Sequence, residues 1–93
     1  MRALTWEDFA GGSGRSYRLR LGEEACELQL AKAEELAGAG RSGGSFRLEF
    51  VGPQQPILPQ AIYALERDGE SFDIFIVPVA SGPRGTTYEA IFN

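Results

Sequence analysis

Few side chains in this chain could do chemistry. There is no histidine and only one cysteine, Cys26, among 93 residues. Without imidazole there is no Ser-His-Asp or Cys-His nucleophile, no histidine proton shuttle and no His-ligated zinc. A single thiol forms neither an internal disulfide nor a four-cysteine zinc site. Cys26 lies within an alternating apolar pattern, so it is expected to point inward as an inert buried thiol. Glu23-Glu24 and Glu34-Glu35 offer oxygens for a hard cation, but the Asp-x-Asp-x-Asp-Gly spacing of a calcium loop is missing. They read as solvated charges at turns and strand ends. No carboxylate pair stands in a setting that marks glycoside hydrolysis. The expectation is a non-enzyme, with no catalytic residues, no cofactor and no metal.

Residues 38–45, Gly-Ala-Gly-Arg-Ser-Gly-Gly-Ser, have the glycine content of a phosphate loop. They lack a Gly-Lys-Ser/Thr ending and open onto a strand pattern, whereas a phosphate cradle uses the N-terminus of a following helix. A flexible hairpin tip is the better reading. Pro53-Gln54-Gln55-Pro56 and Pro56-Ile57-Leu58-Pro59 match a PxxP pattern without a flanking basic residue, and read as a structural loop. Arg15, Arg18, Arg20 and Arg47 would make a basic stripe if the first and third strands were neighbours. Glu27 and Glu49 lie among them, so cross-strand pairing accounts for them better.

Charge and hydropathy narrow the partners. Nine basic against 13 acidic residues give a net charge of -4. That opposes nucleic-acid binding, and no aromatics are spaced for base stacking. No run of about 18 apolar residues suggests a membrane span. Residues 1–10 lack the apolar stretch of a signal peptide. With its lone thiol, the chain is expected in a reducing, cytoplasmic setting. Eight arginines against the single Lys32, with 12 glycines, suggest a GC-rich bacterial coding sequence.

These few groups must be positioned by one domain spanning residues 1–93, since the length leaves no room for a second core. Residues 4–10 read as a short helix, with Thr5 as N-cap, Glu7 and Asp8 favoured by the helix dipole, and a Leu4–Phe9 staple. Period-two alternation then takes over. Tyr17, Leu19 and Leu21 share one face with Cys26, Leu28 and Leu30. Pairing Leu21 with Cys26, Leu19 with Leu28 and Tyr17 with Leu30 keeps all six together. Residues 31–37 fit either a short glycine-stopped helix or a continuing bulged strand, and the strand is preferred because so short a helix is marginal alone.

Phe46, Leu48 and Phe50 mark a third strand. The proline-punctuated residues 52–60 cannot be a central strand. A hairpin follows in which Leu65 pairs with Phe72, Tyr63 with Ile74 and Ala61 with Ile76. Tyr88, Ala90 and Phe92 form the inner face of the last strand. The fold class is therefore all-β with one N-terminal helix. About six antiparallel strands form a small β-barrel or a two-sheet sandwich.

One strand breaks the alternation. Phe72, Ile74 and Ile76 belong to the core, yet Phe75, Val77 and Val79 on the opposite face are also apolar. Ile62, Phe75, Val77 and Ile91 thus form a candidate interaction patch, unusual for a solvated sheet face. Its expected cover is the N-terminal helix with Trp6 and Phe9, or residues 56–59. The alternatives are a second copy, making a homodimer, or another protein.

Leu58-Pro59-Gln60, Tyr63, Leu65-Glu66, Gly69, Phe75-Ile76-Val77-Pro78-Val79 and Tyr88-Glu89-Ala90-Ile91-Phe92-Asn93 resemble a family of small bacterial proteins of unknown function. Leu4-Thr5 and Asp8-Phe9 are similar to its opening. Residues 31–44 carry none of the likeness. The resemblance implies no activity, cofactor or catalytic residue. It implies an accessory role beside phage-tail-like fibre proteins as one alternative. At the position of Arg67 it points to histidine in relatives, which argues against catalysis depending on that site. The functional expectation is a non-catalytic interaction or structural module. The alternative is an apolar-ligand carrier, disfavoured because Tyr17, Phe46, Phe50, Phe72 and Tyr88 should fill a small barrel.

Overall fold

Alternating apolar residues force each strand to present one face inward, and six such strands close on themselves. The computed structural model describes residues 4–11, 15–36 and 44–92. A single-turn helix, α1 (Glu7–Ala10), precedes β1 (Ser16–Leu21), β2 (Glu24–Glu35), β3 (Phe46–Gly52), β4 (Ala61–Arg67), β5 (Glu70–Gly82) and β6 (Gly85–Phe92). The sheet is a closed barrel in the order β1-β2-β3-β6-β5-β4, with every neighbouring pair antiparallel. A short seam, Arg18 beside Glu66 and Leu19 beside Leu65, joins β1 to β4. Closure settles the choice between barrel and sandwich.

The interior is filled. Tyr17, Leu19, Leu28, Leu30, Phe46, Leu48, Phe50, Leu65, Ile74, Ile76 and Tyr88 are completely buried, and Phe72 nearly so. All of them are inward positions of the period-two pattern. Phe9 of α1 closes one end of the barrel, its ring 5.6–6.4 Å from those of Phe72, Phe46, Tyr17 and Phe92. Leu58, from the loop between β3 and β4, is buried toward the opposite end, and its N–H donates to the Tyr88 hydroxyl at 2.9 Å.

Several expectations need correction. The β4–β5 register is as derived. The β1–β2 register is shifted by two: Leu19 pairs with Cys26, Tyr17 with Leu28 and Leu21 with Glu24. The turn is only Gly22-Glu23, with Gly22 at φ 64°, a conformation glycine adopts freely. A shift of two preserves which side chains face inward, so alternation alone could not detect it. Arg18 and not Arg20 therefore lies opposite Glu27. Residues 31–35 continue β2, with a register shift between Leu30 and Lys32.

Thr5 does not cap α1 through its hydroxyl. The Asp8 carboxylate instead accepts from the Thr5 backbone N–H at 2.7 Å and from its hydroxyl at 3.3 Å. Leu4 is partly buried against the core. The expected glycine-rich tip lies almost wholly outside the described residues, Gly44 and Ser45 excepted.

Gly85 marks the tightest constraint. Its φ is 123°, and a Cβ there would fall 2.2 Å from the Gly52 carbonyl oxygen. Backbone cannot yield as a side-chain tip can, so Gly85→Ala should destabilise by more than about 2 kcal/mol. Phe72→Ala should cost about 3–5 kcal/mol through lost burial and a cavity among the rings. Urea unfolding followed by Trp6 fluorescence measures both. A shift under about 1 kcal/mol in either variant would contradict this packing.

Candidate interaction surface

The outer face of β4, β5 and β6 collects the candidate patch. Ile62 is directly opposite Phe75. Val77 pairs with Glu89, where the β5–β6 pairing ends, and Phe75 and Ile91 each follow two residues beyond that pair on the same face. Ile62, Phe75 and Ile91 thus lie along the outer face of three successive strands, 68%, 49% and 51% exposed. Val77 is half-buried beside the row. Val79, 51% exposed, extends it at a register shift between Pro78 and Ala80.

The expected covers are elsewhere. α1 seals a barrel end instead of lying on this face, and Trp6 donates its indole N–H to the Ala33 carbonyl on β2 at 3.2 Å. Leu58 turns into the core while Ile57 stays 46% exposed. The physical reason is that the open barrel end offers Phe9 a fully enclosed aromatic site, which a convex outer face cannot.

Carboxylates border the row. On β3, Arg47 lies beside Ile91. Its guanidinium donates to Glu89 at 2.6 Å and to Glu49 at 2.5 Å, with Glu34 at 3.9 Å. The hydrogen bonds that Arg47 donates to Glu89 and then to Glu49 push its pKa upward, and a guanidinium is charged in any case. Three carboxylates share this one cation. On the other side Asp73 is exposed and paired in register with Ala64, with no ion pair to it among the described residues. The sequence reading found the apolar row but missed this border, because strand order decides which charges lie next to it.

The remaining candidates resolve as structural groups. Arg15 pairs with Asp68 and Arg20 with Glu66. β2 separates β1 from β3, so Arg47 does not join the arginines of β1. Arg67 lies over the Tyr17 and Phe72 rings and donates to the Tyr17 hydroxyl and the Asp8 carbonyl. It ties the end of β4 to α1. Burial raises the Tyr17 pKa, against a smaller lowering by Arg67. Surface clefts are lined by Arg18 and residues 66–71, by the β5–β6 turn, and by Glu7, Asp8, Gly11, Arg15 and Arg67. Among the described residues there is no acidic, cysteine or histidine group that could hold a metal ion. Among them, too, no helix is long and apolar enough to cross a membrane.

Cys26 is half-buried, not fully enclosed as expected, because it sits near the barrel rim opposite Leu19. Desolvation raises its pKa. Thiolate is the reactive form, so native labelling at pH 7 should be about tenfold slower than in urea and should accelerate as pH rises. Equal native and unfolded rates in a maleimide time course would refute this placement.

A family model described as Domain of unknown function (DUF6916) matches residues 4–92. No curated protein and no solved structure matches the chain.

Proposed function

We propose that this chain, which belongs to the DUF6916 family of domains of unknown function, is a non-catalytic module that binds another protein through the outer row Ile62, Phe75 and Ile91. One observation carries the reading. A barrel whose interior is already filled leaves three large apolar side chains in one row on its outside. Scattered exposed apolar residues are ordinary, but a contiguous row is the signature of a contact surface. The filled interior weighs against a carrier, which needs an enclosed space for its ligand. The absence of histidine and the structural use of Arg67 and Tyr17 weigh against catalysis.

The row is dispensable for folding on this reading. Ile62→Ser and Phe75→Ser should leave urea stability within about 1 kcal/mol of the parent, as surface changes do. A photo-crosslinking residue at position 75 should give a discrete protein adduct in cells, lost on adding Ile62→Ser. The same residue at position 18, on β1, should give none. Identical adducts from both positions would refute the proposal, and an apolar ligand retained in native mass spectrometry would favour the carrier.

A further inference from the structure

The chemistry bordering the row identifies the kind of partner it fits. Every described strand has a hydrogen-bonded neighbour on each side, and the row lies on the outer face of the sheet, which presents side chains and not backbone ladder groups. Docking must proceed through side chains. Adjacent strands lie about 4.8 Å apart, so a row crossing three strands spans about 10 Å. A helix places residues i, i+3 or i+4 and i+7 along one side over about the same length, at 1.5 Å per residue.

Charge then restricts the occupant. Glu34, Glu49 and Glu89 gather around Arg47 on one side, with Lys32 opposite Glu49 in register, and Asp73 stands on the other. Four carboxylates against two cations leave an acidic border. A second copy docking by the same face would bring the same border against itself, and like charges in register oppose such a contact. Anionic lipid is disfavoured for the same reason.

We propose, resting on the reading of this row as a docking surface, that its occupant is an amphipathic helix of another protein. That helix lays an apolar stripe across Ile62, Phe75 and Ile91 and carries Lys or Arg along its flanks. The apolar stripe supplies most of the affinity. The basic flanks supply orientation, discrimination and salt dependence.

The test uses two labelled peptides of about 18 residues, both with leucine at i, i+3, i+4 and i+7. One carries lysine on the flanking positions and the other glutamate. Fluorescence anisotropy should give the lysine peptide at least about tenfold tighter binding to the intact chain, weakening with salt. Phe75→Ser and Ile62→Ser should each weaken it about fivefold or more. Asp73→Lys should narrow the preference between the peptides while keeping the fold, since Asp73 is exposed.

Other outcomes overturn the inference in distinguishable ways. Equal binding of both peptides, lost in Phe75→Ser, removes the basic partner and keeps the docking surface. Lysine-peptide binding untouched by both serine variants removes the docking surface too, leaving only nonspecific attraction to an acidic protein. A dimer in light scattering that Phe75→Ser dissolves makes a second copy the occupant. Binding by neither peptide removes the helix.

Discussion

The bore of this barrel has to be filled by large side chains, and their polar tips then have to be satisfied. Six strands enclose a space only wide enough for side chains, and Tyr17, Phe46, Phe50, Phe72 and Tyr88 occupy much of it. Two of these carry hydroxyls that burial would otherwise strand. The Tyr17 hydroxyl accepts from Arg67, which also binds the Asp8 carbonyl and so fastens α1 over one end. The Tyr88 hydroxyl accepts from the Leu58 N–H and so fastens the β3–β4 loop toward the other. The same tyrosines that fill the bore therefore anchor its two closures. With phenylalanine at both positions each closure would lose its polar anchor and keep only its apolar packing, through Phe9 at one end and Leu58 at the other.

Alternation carried most of this fold into the sequence, and the parts it missed share one cause. Period two states which side chains face inward, so Tyr17, Leu19, Leu48, Leu65, Phe72 and Ile74 were legible as core. It is indifferent to slips of two, so the Gly22-Glu23 turn displaced the β1–β2 register without moving any residue to the wrong face. At β4–β5 the turn Asp68-Gly69 has both residues at positive φ, which fixed the loop length, and there the derived register holds. Strand order is a long-range property that no local pattern encodes. The neighbours of the apolar row, Arg47 and its carboxylates above all, depended on β6 lying between β3 and β5. So the row was legible and its charged border was not. The position of α1 was misjudged because its apolar residues were matched to an exposed face, when an unfilled barrel end was the stronger competitor.

Arg47 is the least expendable charge on the outer surface. Isolated exposed ion pairs such as Arg15–Asp68 contribute little, since water screens them and ordering long side chains has a cost. Arg47 differs because it is only 22% exposed and satisfies carboxylates from its own strand and from β6. Without it, Glu49 and Glu89, directly opposed in register, would repel one another. A cross-strand cluster of this kind holds the β3–β6 junction while leaving the surface acidic.

Stability alone accounts for part of the apolar row and not for its width. An Ile62–Phe75 pair directly across two strands adds about 0.2–1 kcal/mol to sheet pairing, so selection for folding could retain those two. Ile91 on a third strand gains no directly opposed apolar partner across β3, where it faces Arg47. A polar β-branched residue such as threonine would also suit the strand and would expose less apolar surface to water. The closed barrel has its interior filled by its own side chains, so its capacity to meet another molecule on this face resides in outward side chains. The feature that folding leaves unexplained is thus the one on which recognition would depend: apolar residues continued onto a third strand and set within a border of carboxylates.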